Sequence, residues 1–244
     1  TCALPILPWK TPPSKQAFSK ARYNIRHTGF QELLDTSLKH TYTKNPLYGS
    51  WKGYRVIAAD GSSLRLPESE EMVREFGRHK PNGTDGTMPP IGRVSLFVDL
   101  CTSMICSARL ATWGTGEQTL AEEQLPEVVN KMRKLNQEHL LFVYDRGYPS
   151  IKFIEQHYSL KADFIFRLQT GMYKKLWEKV SAGEKDFDFT IQIKDMAQKV
   201  RVIVVTLPSG EIEVLLTSLF DRISFTPEDI SKIYFIIFYF SPKT

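Results

Sequence analysis

Leu140-Leu141-Phe142-Val143-Tyr144-Asp145-Arg146-Gly147-Tyr148-Pro149-Ser150 is the stretch on which the fold turns. Its five apolar residues read as a buried strand that stops at a carboxylate, and Gly147 and Pro149 then punctuate the chain. A second run of the same kind, Tyr54 to Ala59, stops at Asp60-Gly61-Ser62-Ser63. Between the two, Val94 to Leu100 and Met104 to Ala111 are separated by Cys101, Thr102 and Ser103, a spacing that predicts an antiparallel hairpin. Gly116 to about Glu138 reads as a helix with Leu120, Leu125, Val128, Val129, Met132 and Leu135 facing inward and Pro126 as a kink point. After Asp145, Ile151 to His157 predicts a short helix and Phe164 to Leu168 a further strand. Residues 68–92, polar and rich in Gly and Pro, read as a long loop.

Three strands, a helix, a strand, a helix and a strand is the order of the ribonuclease-H-like α/β folds, in which the first and fourth strands lie side by side. That assignment is by analogy of element order. Under it, Asp60 and Asp145 end neighbouring strands at one sheet end, where ligands of such sheets collect. Two carboxylates so placed repel each other unless cations lie between them, and hard oxygen ligands select Mg²⁺ or Mn²⁺. Paired metals about 4 Å apart clamp the attacking and leaving oxygens of a phosphodiester displacement. Each aspartate alone also fits a bland role, Asp60 in an Asx-type turn and Asp145 capping the next helix. The conjunction of both, on the two required strands, favours the site.

The chain has 244 residues, with 42% hydrophobic and 24% charged residues, values of a globular protein rather than a disordered or fibrous one. Its longest apolar run, Ile233 to Phe240, is far shorter than the roughly 20 residues of a membrane span. Cys2, Cys101 and Cys106 form no disulfide or zinc pattern, and no export signal is visible, so a cytoplasmic setting is expected. Net charge is +5, yet residues 1–55 hold nine Lys/Arg against Glu32 and Asp35. A basic segment on a nearly neutral body suits a polyanion, because Lys and Arg displace counterions from phosphates; a solvated helix face and an acidic-substrate enzyme look the same. Pro12, Pro13 and Ser14 start a helix bearing Lys15, Lys20, Arg22 and Arg26, with Ala17, Phe18, Ala21 and Ile25 at helical spacing. A second helix runs from Phe30 to about Tyr42 on a stripe of Phe30, Leu33, Leu34 and Leu38, and Asn45, Pro46, Gly49 and Ser50 break it.

Several strings carry a resemblance. Ser14-Lys15-Gln16-Ala17-Phe18-Ser19-Lys20-Ala21-Arg22, Gly53-Tyr54-Arg55-Val56-Ile57-Ala58-Ala59-Asp60-Gly61-Ser62 and Phe142-Val143-Tyr144-Asp145-Arg146-Gly147-Tyr148-Pro149-Ser150 resemble segments of bacterial insertion-sequence transposases. The similar group is the branch of the DDE superfamily named after insertion sequence 4. Leu64-Arg65-Leu66-Pro67, Gly116-Glu117-Gln118, Leu215-Leu216-Thr217-Ser218-Leu219 and Ile233-Tyr234 match more weakly, so the likeness runs through nearly the whole chain.

The resemblance implies a ribonuclease-H-like core whose Asp-Asp-Glu triad holds two Mg²⁺ ions, with Mn²⁺ as a substitute, and performs DNA strand cleavage and transfer in transposition. Asp60 is then the first carboxylate and Asp145 the second, while Arg146 and Tyr148 approach the DNA backbone. Partners are double-stranded DNA, as terminal inverted repeats and target, and a second copy of the chain on that DNA. The setting is the bacterial cytoplasm and its nucleoid, with no membrane.

On this reading residues 1–53 are a basic helical segment, 54–171 the catalytic core, 172–219 a β-rich insertion and 220–244 the start of the last catalytic helix. Phe187 to Ile193, Lys199 to Leu207 and Glu211 to Leu219 supply the insertion's strands, with Pro208-Ser209-Gly210 turning the last pair. The family's closing signature is Tyr, then Arg after two residues, Glu after three more and Lys after six more. Counted from Tyr234, Ile237 stands at the Arg position, Ser241 at the Glu position, and the Lys would fall at 248. With Thr1 in place of Met, this leads to an expected fragment, cut at both ends and short of its third carboxylate. The competing readings are a DNA-binding remnant without catalysis and a nuclease on the same fold.

Overall fold

The computed structural model describes residues 14–44, 48–78, 88–193 and 195–240, the last four as backbone only. Eight strands build one mixed sheet: β1 (Arg55–Arg65), β2 (Ile91–Asp99), β3 (Ile105–Thr112), β4 (Leu140–Tyr144), β5 (Asp163–Arg167), β6 (Asp186–Ile193), β7 (Met196–Thr206) and β8 (Ile212–Thr217). Their spatial order is β3-β2-β1-β4-β5-β8-β7-β6. The antiparallel β1–β2–β3 meander and the parallel β1–β4–β5 ladder are the ribonuclease-H-like α/β arrangement that the element order predicts. The three alternating runs after residue 186 are strands too, and they extend this same sheet through antiparallel pairing of β5 with β8. The expected turn at residues 208–210 joins β7 to β8, with Gly210 at φ +85°, where a side chain would be strained.

Both sheet faces are covered, which is why β4 is apolar at every position rather than alternating. One face packs Ile57, Ala59, Phe142, Tyr144 and Phe166 against helices α2 (His27–Lys44), α4 (Glu117–Lys134), α5 (Ile151–Ser159) and α6 (Lys174–Ser181). The other packs Val56, Leu141, Val143 and Ile165 against Ile230, Ile233 and Tyr234 of α7 (Pro227–Phe240).

Two expectations are corrected. Strand β1 does not stop at Asp60: it continues to Arg65, because Asp60 to Arg65 keep pairing with Leu96 to Ile91 of β2. What ends beside Asp60 is the parallel ladder, whose last pair is Ala59 with Tyr144. Nor is the segment 68–92 all loop. Glu70–Phe76 forms α3, started by the Ser69 hydroxyl, which accepts from Met72 N–H, and by Glu70 and Glu71 in the first turn, and closed by Gly77 at φ +71°. Residues 79–87 of that segment lie outside the described ones.

Helix α4 survives Pro126 by a side-chain repair. Proline removes the N–H that would bond the Glu122 carbonyl, and the Gln156 amide of α5 donates to that carbonyl instead at 2.9 Å. Helix α1 (Lys15–Arg22) begins at Ser14, whose hydroxyl accepts from Ala17 N–H. Its expected apolar stripe is not buried: Phe18 and Ile25 are exposed, as are Phe30 and Leu33 of α2. Burial begins at Leu38 and Tyr42, where α2 reaches the sheet.

The Tyr42 hydroxyl donates to the fully buried Asp99 at 2.7 Å, and Asp99 also pairs with the Arg55 guanidinium at 3.1 Å. Arg55 further donates to Gln137 Oε1 and the Tyr48 carbonyl, and its guanidinium lies 4.6 Å from the Tyr42 ring. Lys52 pairs with Asp229 at 2.5 Å. Two of the nine cations counted in residues 1–55 are thus bound within the protein.

Another buried polar group makes a pH prediction. His157, fully enclosed by aromatic rings, lies 3.0 Å from the Tyr144 hydroxyl and 3.1 Å from the Ala162 carbonyl, and burial pushes its pKa down from 6.5 to about 3. Between those values the unfolded state binds the extra proton, so stability is complete above pH 6.5 and falls as pH falls. The expected loss from this group is about 2 kcal/mol at pH 5. Urea midpoints at pH 7 and pH 5 check it: His157→Gln should lose pH sensitivity by that amount, and equal sensitivity in both chains would remove His157 as the source.

Candidate active site

The parallel register builds the site. Val56, Ile57, Ala58 and Ala59 of β1 lie opposite Leu141, Phe142, Val143 and Tyr144 of β4, so Asp60 and Asp145 are the next residue of each strand at the same sheet end. Residues at matching positions of parallel strands share a face, and here it is the face that α7 covers. Sequence reading of both strands thus brought together the two residues that the backbone also brings together.

Each carboxylate already has partners. Asp60 Oδ1 accepts from the Gly61 N–H at 2.8 Å. Asp145 Oδ1 accepts from Arg167 of β5 at 3.4 Å and from the Tyr234 hydroxyl of α7 at 3.3 Å. Arg167 also pairs with the buried Glu213 of β8 at 2.5 Å. The Asp60 side chain stands at the exposed rim, yet partial desolvation raises its pKa; the Gly61 N–H works against this, and the negative charges of Glu117 and Asp145 add to it. The same desolvation, stronger, holds Tyr234 neutral, with Asp145 contributing.

Glu117 is the site residue that sequence reading did not single out. It opens α4, and its carboxylate pairs with Arg93 of β2, whose guanidinium lies 4.3 Å from the Trp113 ring. The signals in the sequence were its place directly after the Gly116 helix start and the weak family match of Gly116-Glu117-Gln118. Arg146 is exposed beside Asp145. Tyr148 is 2% exposed, its ring 5.4 Å from that of Tyr144, so it lies beneath the surface. Lys15, Lys20 and Arg22 are exposed on α1 and Arg26 just after it, in a separate part of the chain from the aspartates.

The donor set is chemically suited to a hard divalent cation, since it consists of carboxylate oxygens with no sulfur. The buried Tyr148 hydroxyl beside it has no hydrogen-bond partner among the described residues. As placed, no three His, Cys, Asp or Glu side chains among the described residues converge closely enough to hold a metal. Asp60, Asp145 and Glu117 are each turned toward an N–H or guanidinium of the protein, and cation binding requires them to turn inward.

The profile of the family described as "Transposase DDE domain" matches residues 51–234, three quarters of the chain, from just before β1 to the tyrosine that meets Asp145. The chain belongs to the DDE transposase family. Among solved structures it is similar to a piggyBac transposase synaptic complex with hairpin DNA, at 12% identity and a TM-score of 0.44 over 68% of this chain and 34% of that one. It is also similar to a Mos1 transposase paired-end complex with the left transposon end, at 10% identity and a TM-score of 0.32 over 62% of this chain and 52% of that one. A Mos1 mariner paired-end complex with Mn matches at 9% identity and a TM-score of 0.33. The DDE chain thus spans about a third to a half of those proteins. No curated protein matches it. Among the described residues, no helix of this family member is long and apolar enough to cross a membrane.

Proposed function

We propose that this chain acts in DNA transposition, as a transposase of the insertion-sequence-4-like branch, by metal-dependent cleavage and transfer of DNA strands. The observation that carries the reading is the register that sets Asp60 and Asp145 side by side within the matched family segment. Asp60 and Asp145 would hold Mg²⁺, with Mn²⁺ able to replace it. When bound, such ions polarise the scissile phosphate and activate the attacking hydroxyl. The protein's own groups do the positioning. Arg167, fixed by Glu213, and Tyr234 orient the Asp145 carboxylate. Arg146, exposed at the same strand end, offers a guanidinium to the phosphate backbone. Lys15, Lys20, Arg22 and Arg26 give sequence-independent affinity for duplex DNA, both the element's terminal repeats and its target, with two copies of the chain engaging two ends.

In this reading the segment 54–171 carries the chemistry, 172–219 is the β-rich insertion and 220–244 the start of the last catalytic helix region. Ser241, at the family's glutamate position, lies outside the described residues. Its hydroxyl is neutral and a poor Mg²⁺ ligand, which makes cleavage weak while leaving binding intact.

The first test is thermodynamic. A cation that binds only the folded chain stabilises it, by about 2.7 kcal/mol at a hundredfold excess over Kd, which raises Tm by several degrees in a chain of this size. Thermal melts with and without Mn²⁺ are expected to show that rise for the native chain and to lose most of it in Asp60→Asn and in Asp145→Asn. An undiminished Mn²⁺ response in both variants would sink the shared site.

A further inference from the structure

Every residue from Ser14 to Leu33 is exposed, a stretch that takes in the whole of α1 and the start of α2. An isolated helix shorter than about 12 to 15 residues is marginal in water, so α1, with eight residues and none buried, needs a surface to lie on. The stretch carries the apolar side of such a contact. Phe18, Tyr23, Ile25, Phe30 and Leu33 are 57% to 89% exposed, while the other exposed large apolar side chains among the described residues are scattered from Tyr48 to Ile236. Phe30 is also the outer end of a ladder spaced by four, Phe30, Leu34, Leu38 and Tyr42. Along it, exposure falls from 62% at Phe30 through a half-buried Leu34 to 0% at Leu38 and Tyr42, where α2 meets the sheet. One helix face is thus core at one end and uncovered at the other. Beside the uncovered end lies a groove of about 520 Å³, walled by Phe30 and Leu34 of α2, Ala108 and Arg109 of the border strand β3, and Glu127 and Lys131 of α4. The same stretch bears Lys15, Lys20, Arg22 and Arg26, and no acid precedes Glu32, so two such surfaces repel each other in water.

We propose that the apolar stripe from Phe18 to Leu33 packs against the same stripe of a second copy of the chain, and that a DNA backbone permits this pairing by neutralising Lys15, Lys20, Arg22 and Arg26 of both. This rests on the DNA-binding reading above and names the surface by which two copies meet. Phosphates cover cations but give no apolar cover to Phe, Ile and Leu side chains, whereas an isologous contact supplies it from an identical surface. The five side chains leave roughly 600 Å² uncovered in one copy, so two copies face to face would bury about 1,200 Å², the lower edge of specific interfaces. A contact of that size is too small to overcome the repulsion of four cations from each copy. Once DNA offsets that repulsion and holds the copies at high local concentration, it suffices.

The experiment is sedimentation velocity of the full chain, alone and with a duplex long enough for one chain. Alone, the native chain is expected to be monomeric at about 0.1 M salt and to dimerise about tenfold more tightly or better at about 1 M, as the screening length falls from about 10 Å to about 3 Å. With duplex at the lower salt it should form complexes of two chains and two duplexes. Lys20→Gln combined with Arg22→Gln should pair at the lower salt without DNA. Phe30→Ser combined with Leu33→Ser should stay monomeric in high salt and bind duplex one to one with the native salt slope. Ile223→Ser, at a residue 93% exposed before α7, is the control that assembles like the native chain. Thermal melts confirm that each variant is folded. Dimers that persist in the Phe30 and Leu33 double variant would put the contact elsewhere and overturn the proposal. So would a native chain that stays monomeric in high salt and on duplex; a lowered Tm in the double variant would then show that the stripe is covered within its own chain. Loss of duplex affinity in that variant, with its dimer intact, would assign the stripe to DNA and overturn the pairing. A native chain that binds no duplex, yet forms a salt-driven dimer that the double variant loses, would sink the DNA reading and leave the stripe as the contact between copies.

Discussion

A chain carrying Ile237→Arg and Ser241→Glu is expected to nick terminal-repeat DNA in Mn²⁺ on the order of a hundredfold faster than the native chain. The reason lies in where the ligands come from. Among the described residues the side chains that hydrogen-bond Asp145 are Arg167 and Tyr234, a cation and a neutral phenol, and neither adds a negative ligand. In an α-helix residues seven apart return to nearly the same face, and the family's signature sets its glutamate seven residues after the tyrosine, here the one that touches Asp145. Losing one electrostatic element of a preorganised site costs about a hundredfold or more, and supplying it recovers that factor. Single-turnover nicking, with Asp60→Ala in both backgrounds, gives the readout. Rapid nicking by the native chain that Asp60→Ala abolishes would show that residue 241 is not limiting.

The second large effect concerns stability. Asp99→Ala is expected to cost about 3–5 kcal/mol, because it leaves the Arg55 guanidinium buried without its counter-charge. Tyr42→Phe removes one hydrogen bond to the same carboxylate and should cost about 1–3 kcal/mol. Since typical domains hold only about 5–15 kcal/mol, Asp99→Ala alone should leave a marginal protein. Urea denaturation measures both. Replacing Arg55 and Asp99 together by Met and Leu removes the unpaired charge and should recover only part of the loss, since the Tyr42 hydroxyl, Gln137 Oε1 and the Cys101 N–H lose these partners. A loss of less than about 1 kcal/mol in Asp99→Ala would mean that the pair is not the fastening that holds α2 to the sheet.

How far the sequence disclosed this depended on whether a feature was local. Strand β4 is exact because five apolar residues between Gln137-Glu138-His139 and Asp145 admit one reading. The neighbouring positions of Asp60 and Asp145 followed from strand order. The extension of β1 was hidden because Gly61-Ser62-Ser63 has the composition of a turn, and only pairing with β2 keeps it extended. Helix α3 was hidden because seven residues give too little periodicity, although Ser69 is an ordinary helix start and Gly77 an ordinary helix stop. Arg55 was counted as a surface cation because charge patterning says nothing about a buried partner 44 residues away. Glu117 escaped for the same reason: its neighbours Arg93, Gly61 and Tyr148 come from two strands and a loop, and no spacing along the chain connects them.

An eight-stranded open sheet has two borders, and a border strand is a template on which a strange chain can add itself. Strand β6 forms one border, and its Asp186 and Asp188 are clamped sideways by Arg201, Lys199 and Arg222. Strand β3 forms the other, with Arg109 reaching across to Glu123 and Glu127 of α4 and α2 lying against the strand. Both borders are therefore defended by charge or by a covering helix. Addition of a foreign strand at either border is disfavoured.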